Sequence, residues 1–255
     1  MGIAKCPFPK PEAAQRLFLF HHAGGGMSYY YEWFKLLPKS IELIVMELPG
    51  RGSSFEETRL TEFHQVIERL GDVTRNFQDK PFSFFGHSMG ALLAFGLTGW
   101  LMDKGYKHPD YLFASGCKSP DAIRLHPFEK RSQMAKPEIM AALRALGGLP
   151  KEIEENDDLL EIFLPIIRDD FAICESFVDQ PHAIINVPII SCSGTHDLDT
   201  EMVASWENST SKNFEMFRFE GDHFYLKNFK DKLIEIVVRK LAPEKLQDPM
   251  RYIIK

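Results

Sequence analysis

Apolar segments of two kinds alternate along most of this chain, and that alternation is the feature that most limits its fold. Short runs rich in β-branched and aromatic residues predict strands, and longer amphipathic runs predict helices. Alternating strands and helices are typical of a mostly parallel central sheet with helices on both faces, so we predict an α/β fold in one domain, residues 1–255. The predicted strands are Leu17–His22, Ile41–Leu48, Phe82–Phe85, Tyr111–Ser115, Val187–Gly194 and Phe214–Phe219. The predicted helices are Thr61–Phe77 (with Thr61 as candidate N-cap), Met89–Met102, Glu201–Asn208 and Lys230–Leu241.

Residues 121–183 interrupt this alternation, because they show helical periodicity and no convincing strand. Pro165 lies inside the most apolar part of this stretch and is expected to bend or restart its helix. Ligands of open α/β sheets bind beyond the carboxyl ends of the strands, so we predict that the insertion forms a lid over that edge. The alternative is a helical subdomain that only covers the core.

The pentapeptide Gly86-His87-Ser88-Met89-Gly90 lies between a predicted strand and a predicted helix. A serine on such a sharp turn, flanked by small residues that let strand and helix pass closely, is the nucleophile elbow of α/β-hydrolases. The sequence therefore predicts an α/β-hydrolase fold with Ser88 as the nucleophile.

A serine hydroxyl needs a base to accept its proton, and the base needs a carboxylate to orient it. In α/β-hydrolases the acid follows the serine in the sequence, and the histidine comes last. Asp197, in the loop after the strand Val187–Gly194, is the predicted acid. Asp199 is the alternative, although it better fits the N-cap of the helix predicted near Glu201. His223 follows the last predicted strand and is the predicted base.

The first long predicted strand is followed by His21-His22-Ala23-Gly24-Gly25-Gly26. Consecutive glycines let the backbone turn an N–H towards a substrate, so we predict an oxyanion hole made by the N–H groups of Ala23 and Met89. A phosphate-binding loop is the competing interpretation, but neither G-x-x-x-x-G-K-[ST] nor G-x-G-x-x-G occurs. Pro49-Gly50-Arg51-Gly52 follows the next strand, and it is either a simple turn or gives Arg51 a further role.

Composition excludes several classes of protein. A net charge of −6 argues against a nucleic-acid partner. There is no signal-peptide core and no apolar stretch that could span a membrane, so we expect a cytoplasmic protein that does not bind membranes. The four cysteines lie far apart, which indicates neither a zinc site nor a disulfide framework. We expect a monomer without metal or organic cofactor.

Taken together, these motifs resemble the type II thioesterases that accompany nonribosomal peptide and polyketide synthases, and the resemblance extends over nearly the whole chain. The segments that carry it are Leu19–Gly25, Leu48–Gly52, Phe85–Ala91, Leu143–Pro150, Leu164–Phe171 and Gly221–Phe224. Residue by residue, the resemblance implies that Ser88 is the nucleophile, Asp197 the acid and His223 the base. It also implies hydrolysis of acyl or aminoacyl thioesters on the phosphopantetheine arm of a carrier protein, which would free blocked synthases.

The residues alone support only a serine hydrolase, so two alternatives remain. One is a carboxylesterase, lipase or acyltransferase of the same fold, acting on other acyl esters or acyl-CoA. The other is a non-catalytic module that binds a carrier protein.

An acidic carrier protein would need a local basic patch on this enzyme. The basic residues near the predicted lid either form such a patch or belong to an ordinary solvated helix face. The candidates for that patch are Arg124, Lys130, Arg131 and Lys136.

Overall fold

The centre of the molecule is a seven-stranded sheet. The computed structural model describes residues 2–177 and 184–243. The strands are β1 (Ala4–Lys5), β2 (Gln15–Phe20), β3 (Ile41–Met46), β4 (Phe82–His87), β5 (Leu112–Ser115), β6 (Ile189–Gly194) and β7 (Phe214–Phe219). Their spatial order is β1-β3-β2-β4-β5-β6-β7. The edge strand β1 is antiparallel to β3, and every other pair is parallel.

This architecture confirms the predicted α/β-hydrolase fold and all six predicted strands, with ends that shift by at most two residues. The edge strand β1 was not predicted, because two residues are too few to show any periodicity. The carboxyl ends of parallel strands lie at the same edge of the sheet, so the loops after β2, β4, β6 and β7 meet there.

Helices cover both faces of the sheet. The α-helices are α1 (Trp33–Leu36), α2 (Phe63–Thr74), α3 (Met89–Asp103), α4 (Pro120–Leu125), α5 (Lys136–Leu146), α6 (Lys151–Glu154), α7 (Asp157–Ser176), α8 (Thr200–Ala204) and α9 (Lys230–Leu241). Side chains of β2 alternate between the two faces, as strand geometry requires. Phe18 and Phe20 pack in the core with α2 and α3, whereas Leu17 and Leu19 pack in the core with α1 and α9.

Between β5 and β6, the described residues contain α4 to α7 and no strand, and we call residues 120–177 the helical insertion. Residues 178–183, the end of the predicted insertion, lie outside the described residues. Helix α7 runs through Pro165 and does not restart there. Buried side chains on both sides of the proline, including Leu160 and Ile167, tie the two halves to the same surface, and this packing offsets the backbone hydrogen bond that proline removes.

The start of α2 also differs from the prediction. The N-cap position is Glu62 rather than Thr61, and no side chain of α2 caps the helix. Instead the N–H of Phe63 donates to Ser176 Oγ at 2.9 Å, so the end of α7 satisfies the first turn of α2. A cap supplied by a residue more than a hundred positions away leaves no local signal in the sequence.

Candidate active site

Ser88 occupies a strained turn between β4 and α3. Its φ of +56° is the only positive value at a non-glycine residue in the described part of the chain. Such a backbone costs free energy and persists where the surroundings enforce it, as they do at a nucleophile elbow. The N–H of Ser88 donates to the carbonyl oxygen of Ser115 at 2.8 Å, which ties the turn to the end of β5.

The two glycines of the pentapeptide are required by close packing. A Cβ on Gly86 would lie 2.1 Å from the carbonyl oxygen of Gly90. A Cβ on Gly90 would lie 2.1 Å from the carbonyl oxygen of Phe20 in β2. Both obstructing atoms belong to the backbone, which cannot move aside as a side chain can. The sequence therefore forms this turn because only glycine leaves room for strand and helix to cross.

The loops after β6 and β7 bring a carboxylate and an imidazole together. His223 Nδ1 lies 2.8 Å from Asp197 Oδ1, and both side chains are largely buried. An ionised carboxylate only accepts hydrogen bonds, so His223 carries its proton on Nδ1 and leaves Nε2 as an acceptor. A backbone hydrogen bond from His196 N–H to the carbonyl oxygen of Gly221 (2.9 Å) holds the two loops together. Asp199 is exposed at the N-cap position of α8, without a side-chain capping bond.

One cavity of about 460 Å³ connects the predicted site residues. It is lined by Ser88, Asp197, His223, Ala23 and Met89, and also by aromatic residues of the helical insertion. Met89 is the first residue of α3, so its N–H has no acceptor within the helix. A volume of this size is typical of small-molecule sites. The arrangement can hold an acyl group beside a serine, an imidazole and backbone donors.

The apolar wall of this cavity includes two phenylalanines of the helical insertion, Phe128 and Phe171. Cys117 and Cys174 line it as well, and burial raises the pKa of both thiols, which keeps them protonated. Nothing local in the sequence marked either cysteine: Cys117 follows β5 and Cys174 lies in α7, and only the fold brings them to one cavity.

A buried polar chain begins at His87, beside the predicted base His223. The ring centroid of His87 lies 5.0 Å from that of His223. His87 Nδ1 is 2.9 Å from Ser115 Oγ, which is 2.7 Å from the hydroxyl of Tyr225. Burial, and secondly the nearby imidazole of His223, lower the pKa of His87, so that its ring is neutral. A neutral ring whose centroid lies 5.0 Å from that of His223 adds no positive charge beside the predicted base.

Two further histidines, the buried His21 and the half-buried His22, begin the glycine-rich loop. Burial lowers the pKa of His21 to about 3, and the charge of Arg51 adds to the effect. Burial likewise lowers the pKa of His22 to about 3, followed by the effects of His21 and His223. The N–H of Leu48 donates to His21 Nε2 at 3.2 Å, so Nδ1 carries the proton and donates to the carbonyl oxygen of His22 at 2.8 Å. Both rings are therefore neutral structural groups near pH 7.

Most of the cations considered for a basic patch are paired with acids. Arg124 lies 3.4 Å from Asp121, and Lys136 lies 3.5 Å from Asp157. Arg131 Nε lies 3.2 Å from Glu129 Oε2. This pairing favours the interpretation as a solvated helix face, although Arg131 also lines the cavity.

Residues 2–177 and 184–243 contain neither a metal-binding cluster nor a membrane-spanning helix. No group of three or more histidine, cysteine, aspartate or glutamate side chains there could hold a metal ion. No helix in these ranges combines the length and the apolar character needed to cross a bilayer.

The strained serine between β4 and α3, in a mostly parallel sheet of this order, defines an α/β-hydrolase. A family model for the thioesterase domain matches residues 15–242, so the chain belongs to the thioesterase family and is an enzyme of that class. Its relatives include the type II thioesterases of nonribosomal peptide and polyketide pathways, which confirms the resemblance seen in the sequence.

Individual relatives cover most of the chain. The gramicidin S biosynthesis protein GrsT of Aneurinibacillus migulanus is 33% identical, over 90% of this chain and 90% of its own length. A Brevibacillus parabrevis protein named linear gramicidin dehydrogenase LgrE is 36% identical, over 89% of this chain and 87% of its own. Among solved structures, YbtT, a type II thioesterase from the yersiniabactin pathway, superposes with a TM-score of 0.82 at 27% identity, covering 93% of this chain and 97% of YbtT.

Proposed function

We propose that this thioesterase hydrolyses acyl and aminoacyl groups from the phosphopantetheine arm of carrier proteins, and so clears wrongly loaded or stalled nonribosomal peptide and polyketide synthases. The observation that carries the proposal is one cavity lined by Ser88, His223, Asp197, Ala23 and Met89. A thioester needs a nucleophile, a base and oxyanion donors, and these residues supply all three. The carrier-bound substrate is inferred from the related type II thioesterases of nonribosomal peptide and polyketide pathways.

The proposed reaction has two halves that use the same groups. His223 Nε2 takes the proton of Ser88 Oγ, which attacks the thioester carbonyl while the N–H groups of Ala23 and Met89 stabilise the oxyanion. His223 then protonates the departing thiolate, which leaves an acyl ester on Ser88. In the second half His223 activates a water molecule that hydrolyses this ester. Asp197 holds the ring in the required tautomer throughout and stabilises its charged form.

We further propose that residues 1–255 form a single domain in which the predicted insertion, residues 121–183, acts as a lid. Support comes from Phe128 and Phe171, which the insertion contributes to the cavity wall. An acyl chain packed on these rings would be shielded from water.

We propose a monomer that acts in the cytoplasm on carrier proteins rather than on nucleic acid or membranes, in keeping with a net charge of −6.

The decisive experiment compares acyl-loaded carrier proteins, the matching acyl-CoA thioesters and simple oxygen esters as substrates. We expect kcat/KM to be highest for the carrier-bound thioesters, and we expect Ser88→Ala to abolish their hydrolysis with an unchanged melting temperature. Ser28→Ala, at an exposed serine, is the matched control and should keep full activity. Undiminished hydrolysis by Ser88→Ala would end the proposal.

The same panel separates the alternatives. Preference for oxygen esters without carrier activity would indicate a carboxylesterase, and transfer of the acyl group to an added alcohol or amine would indicate an acyltransferase. Binding of a carrier protein without turnover would indicate a non-catalytic module. The dehydrogenase name of one relative does not carry over, because the dinucleotide fingerprint G-x-G-x-x-G is absent from this sequence.

A further inference from the structure

A buried ion pair connects the helical insertion to the body of the enzyme. Asp170 lies in α7, and Arg51 lies in the loop after β3. The guanidinium donates twice, from Nη1 to Asp170 Oδ2 and from Nη2 to Asp170 Oδ1, both at 2.7 Å. Only 1% of the Asp170 side chain and 8% of the Arg51 side chain are exposed. A planar two-point pair in such a dry setting fixes the orientation of both groups.

The same carboxylate reaches the glycine-rich loop after β2. The N–H of Gly24 donates to Asp170 Oδ2 at 2.7 Å, and Arg51 Nη1 donates to the carbonyl oxygen of Gly25 at 3.0 Å. Arg51 and Asp170 therefore bind two consecutive residues of that loop. The sequence left two interpretations of Arg51 in the Pro-Gly-Arg-Gly segment open, a residue of a simple turn or one with a further role. The ion pair with Asp170 favours the further role.

The loop has little freedom to adopt another path. Gly24 has a φ of +76°, which favours glycine, and a Cβ there would lie 2.8 Å from a side-chain carbon of Ile167. Ile167 lies one turn before Asp170 in α7, so the helix contacts Gly24 both through packing and through a charged hydrogen bond. If the Asp170 carboxylate moved, the peptide group that joins Ala23 to Gly24 would lose its hydrogen bond.

We propose that Asp170 is a positioning residue for the oxyanion hole. The N–H of Ala23, the proposed oxyanion donor, belongs to the peptide group directly before the one that Asp170 binds. With Gly24 held by Asp170 and Gly25 by Arg51, the backbone path through Ala23 is fixed, and Ala23 lines the same cavity as Ser88. This inference rests on the proposed function only in taking Ala23 as an oxyanion donor.

The neighbouring residue in the same helix provides a matched control. Asp169 also pairs with an arginine of the segment after β3, Arg59, whose Nε lies 2.5 Å from Asp169 Oδ2. That pair is partly exposed, and within residues 2–177 and 184–243 neither of its side chains hydrogen-bonds to the glycine-rich loop. Asp170→Asn and Asp169→Asn therefore remove the same charge from adjacent positions, but only the former loosens Gly24.

The test is steady-state hydrolysis of an acyl-carrier thioester by both variants, with hydrogen exchange at the Gly24 amide. For Asp170→Asn we expect kcat to fall by about 10- to 100-fold with KM within about threefold, because a misplaced oxyanion donor weakens only transition-state binding. The Gly24 amide should exchange faster than in the wild type. Asp169→Asn should leave kcat and amide exchange unchanged.

Other outcomes would overturn the inference. An unchanged kcat in folded Asp170→Asn, or equal losses in both variants, would show that Asp170 does not position the loop. If Asp170→Asn does not fold, Arg51→Lys decides, because it keeps the charge but not the planar fork, and an unchanged kcat there would also overturn the inference. Hydrolysis that is lost in Ser88→Ala but kept in Asp170→Asn would overturn this inference and leave the proposed function intact. A wild-type enzyme that is inactive on every thioester would refute the proposed function itself.

Discussion

The loops at the carboxyl edge of the sheet differ from the helical insertion that crosses them. The loops are short, follow buried strands and carry the groups proposed to react, Ser88, Asp197 and His223. The insertion contributes cavity wall through Phe128 and Phe171, and it contributes two buried carboxylates, Asp170 and Glu175. Under the proposed function, chemistry depends on the strand ends, whereas substrate preference and loop position depend on the insertion.

The two regions also differ in how tightly they are packed. At the strand ends, backbone lies against backbone, as at Gly86 and Gly90. In the insertion, glycine contacts are with side chains: a Cβ on Gly148 would meet the ring of Phe224 at 2.8 Å. Changes at the strand edge should therefore have larger effects than changes in the insertion.

The largest effect is expected at Asp197. Asp197→Asn keeps the size of the side chain but favours the wrong tautomer of His223, so kcat should fall by about 10³–10⁴-fold. Asp199→Asn is the control and should stay within about twofold of the wild type. Steady-state rates on one acyl-carrier thioester measure both. A larger loss at Asp199 would mean that the acid has been assigned to the wrong residue.

The next effect concerns stability. In Gly90→Ala the new methyl group meets the carbonyl oxygen of Phe20, so the free energy of unfolding should fall by about 3 kcal/mol. Gly148→Ala should cost about 1 kcal/mol, because the ring of Phe224 can move aside. Urea unfolding of both variants tests the packing contrast. Equal losses would show that the strand edge is no more tightly packed than the insertion.

Acid should destabilise the fold through two histidines at the strand edge, His21 and His22. His21 and His22 have a pKa of about 3 in the folded chain, against about 6.5 when unfolded. Between these values the unfolded state binds more protons, so stability is full above pH 6.5 and falls as the pH drops towards 3. Each histidine contributes a slope of at most about 1.4 kcal/mol per pH unit.

His22→Phe keeps the aromatic contacts with Tyr29 and Phe224. In unfolding experiments from pH 7 to 5, this variant should lower the slope of the unfolding free energy against pH by the contribution of one titrating histidine. His64→Gln, at an exposed histidine, should leave the slope unchanged. A slope that does not respond to His22→Phe would show that His22 is not neutral in the fold.

The smallest effect is expected in the cavity wall. Phe171→Ala should lower kcat/KM for long acyl chains by about tenfold, because part of the apolar contact is lost. Acetyl substrates should change by less than about threefold, since they do not reach the ring. Leu159→Ala, at an exposed residue of α7, is the control. Equal losses for short and long chains would place Phe171 in catalysis rather than in substrate preference.

The sequence was most informative where function depends on neighbouring residues. The strand, turn and helix around Ser88 are contiguous, and so are the glycines that make the turn possible. The strands were predictable for the same reason, because a buried strand shows its character within six residues. For Asp197 and His223 the order of motifs along the chain was enough to choose candidates that the structure brings within 2.8 Å.

Features that depend on distant residues could not be predicted. Arg51 and Asp170 are 119 positions apart, and periodicity does not indicate which buried charges will pair. The uninterrupted helix at Pro165 depends on what its two halves pack against, and the start of α2 depends on Ser176. In each case tertiary contacts outweighed a local preference.

The central claim is that Ser88 carries the acyl group. The most direct measurement is mass spectrometry of the enzyme, acid-quenched during turnover of an acyl-carrier thioester. The mechanism predicts a mass increase equal to the acyl group on the peptide that contains Ser88, and no such increase in Ser88→Ala. Rapid hydrolysis with the acyl group on another residue would contradict it.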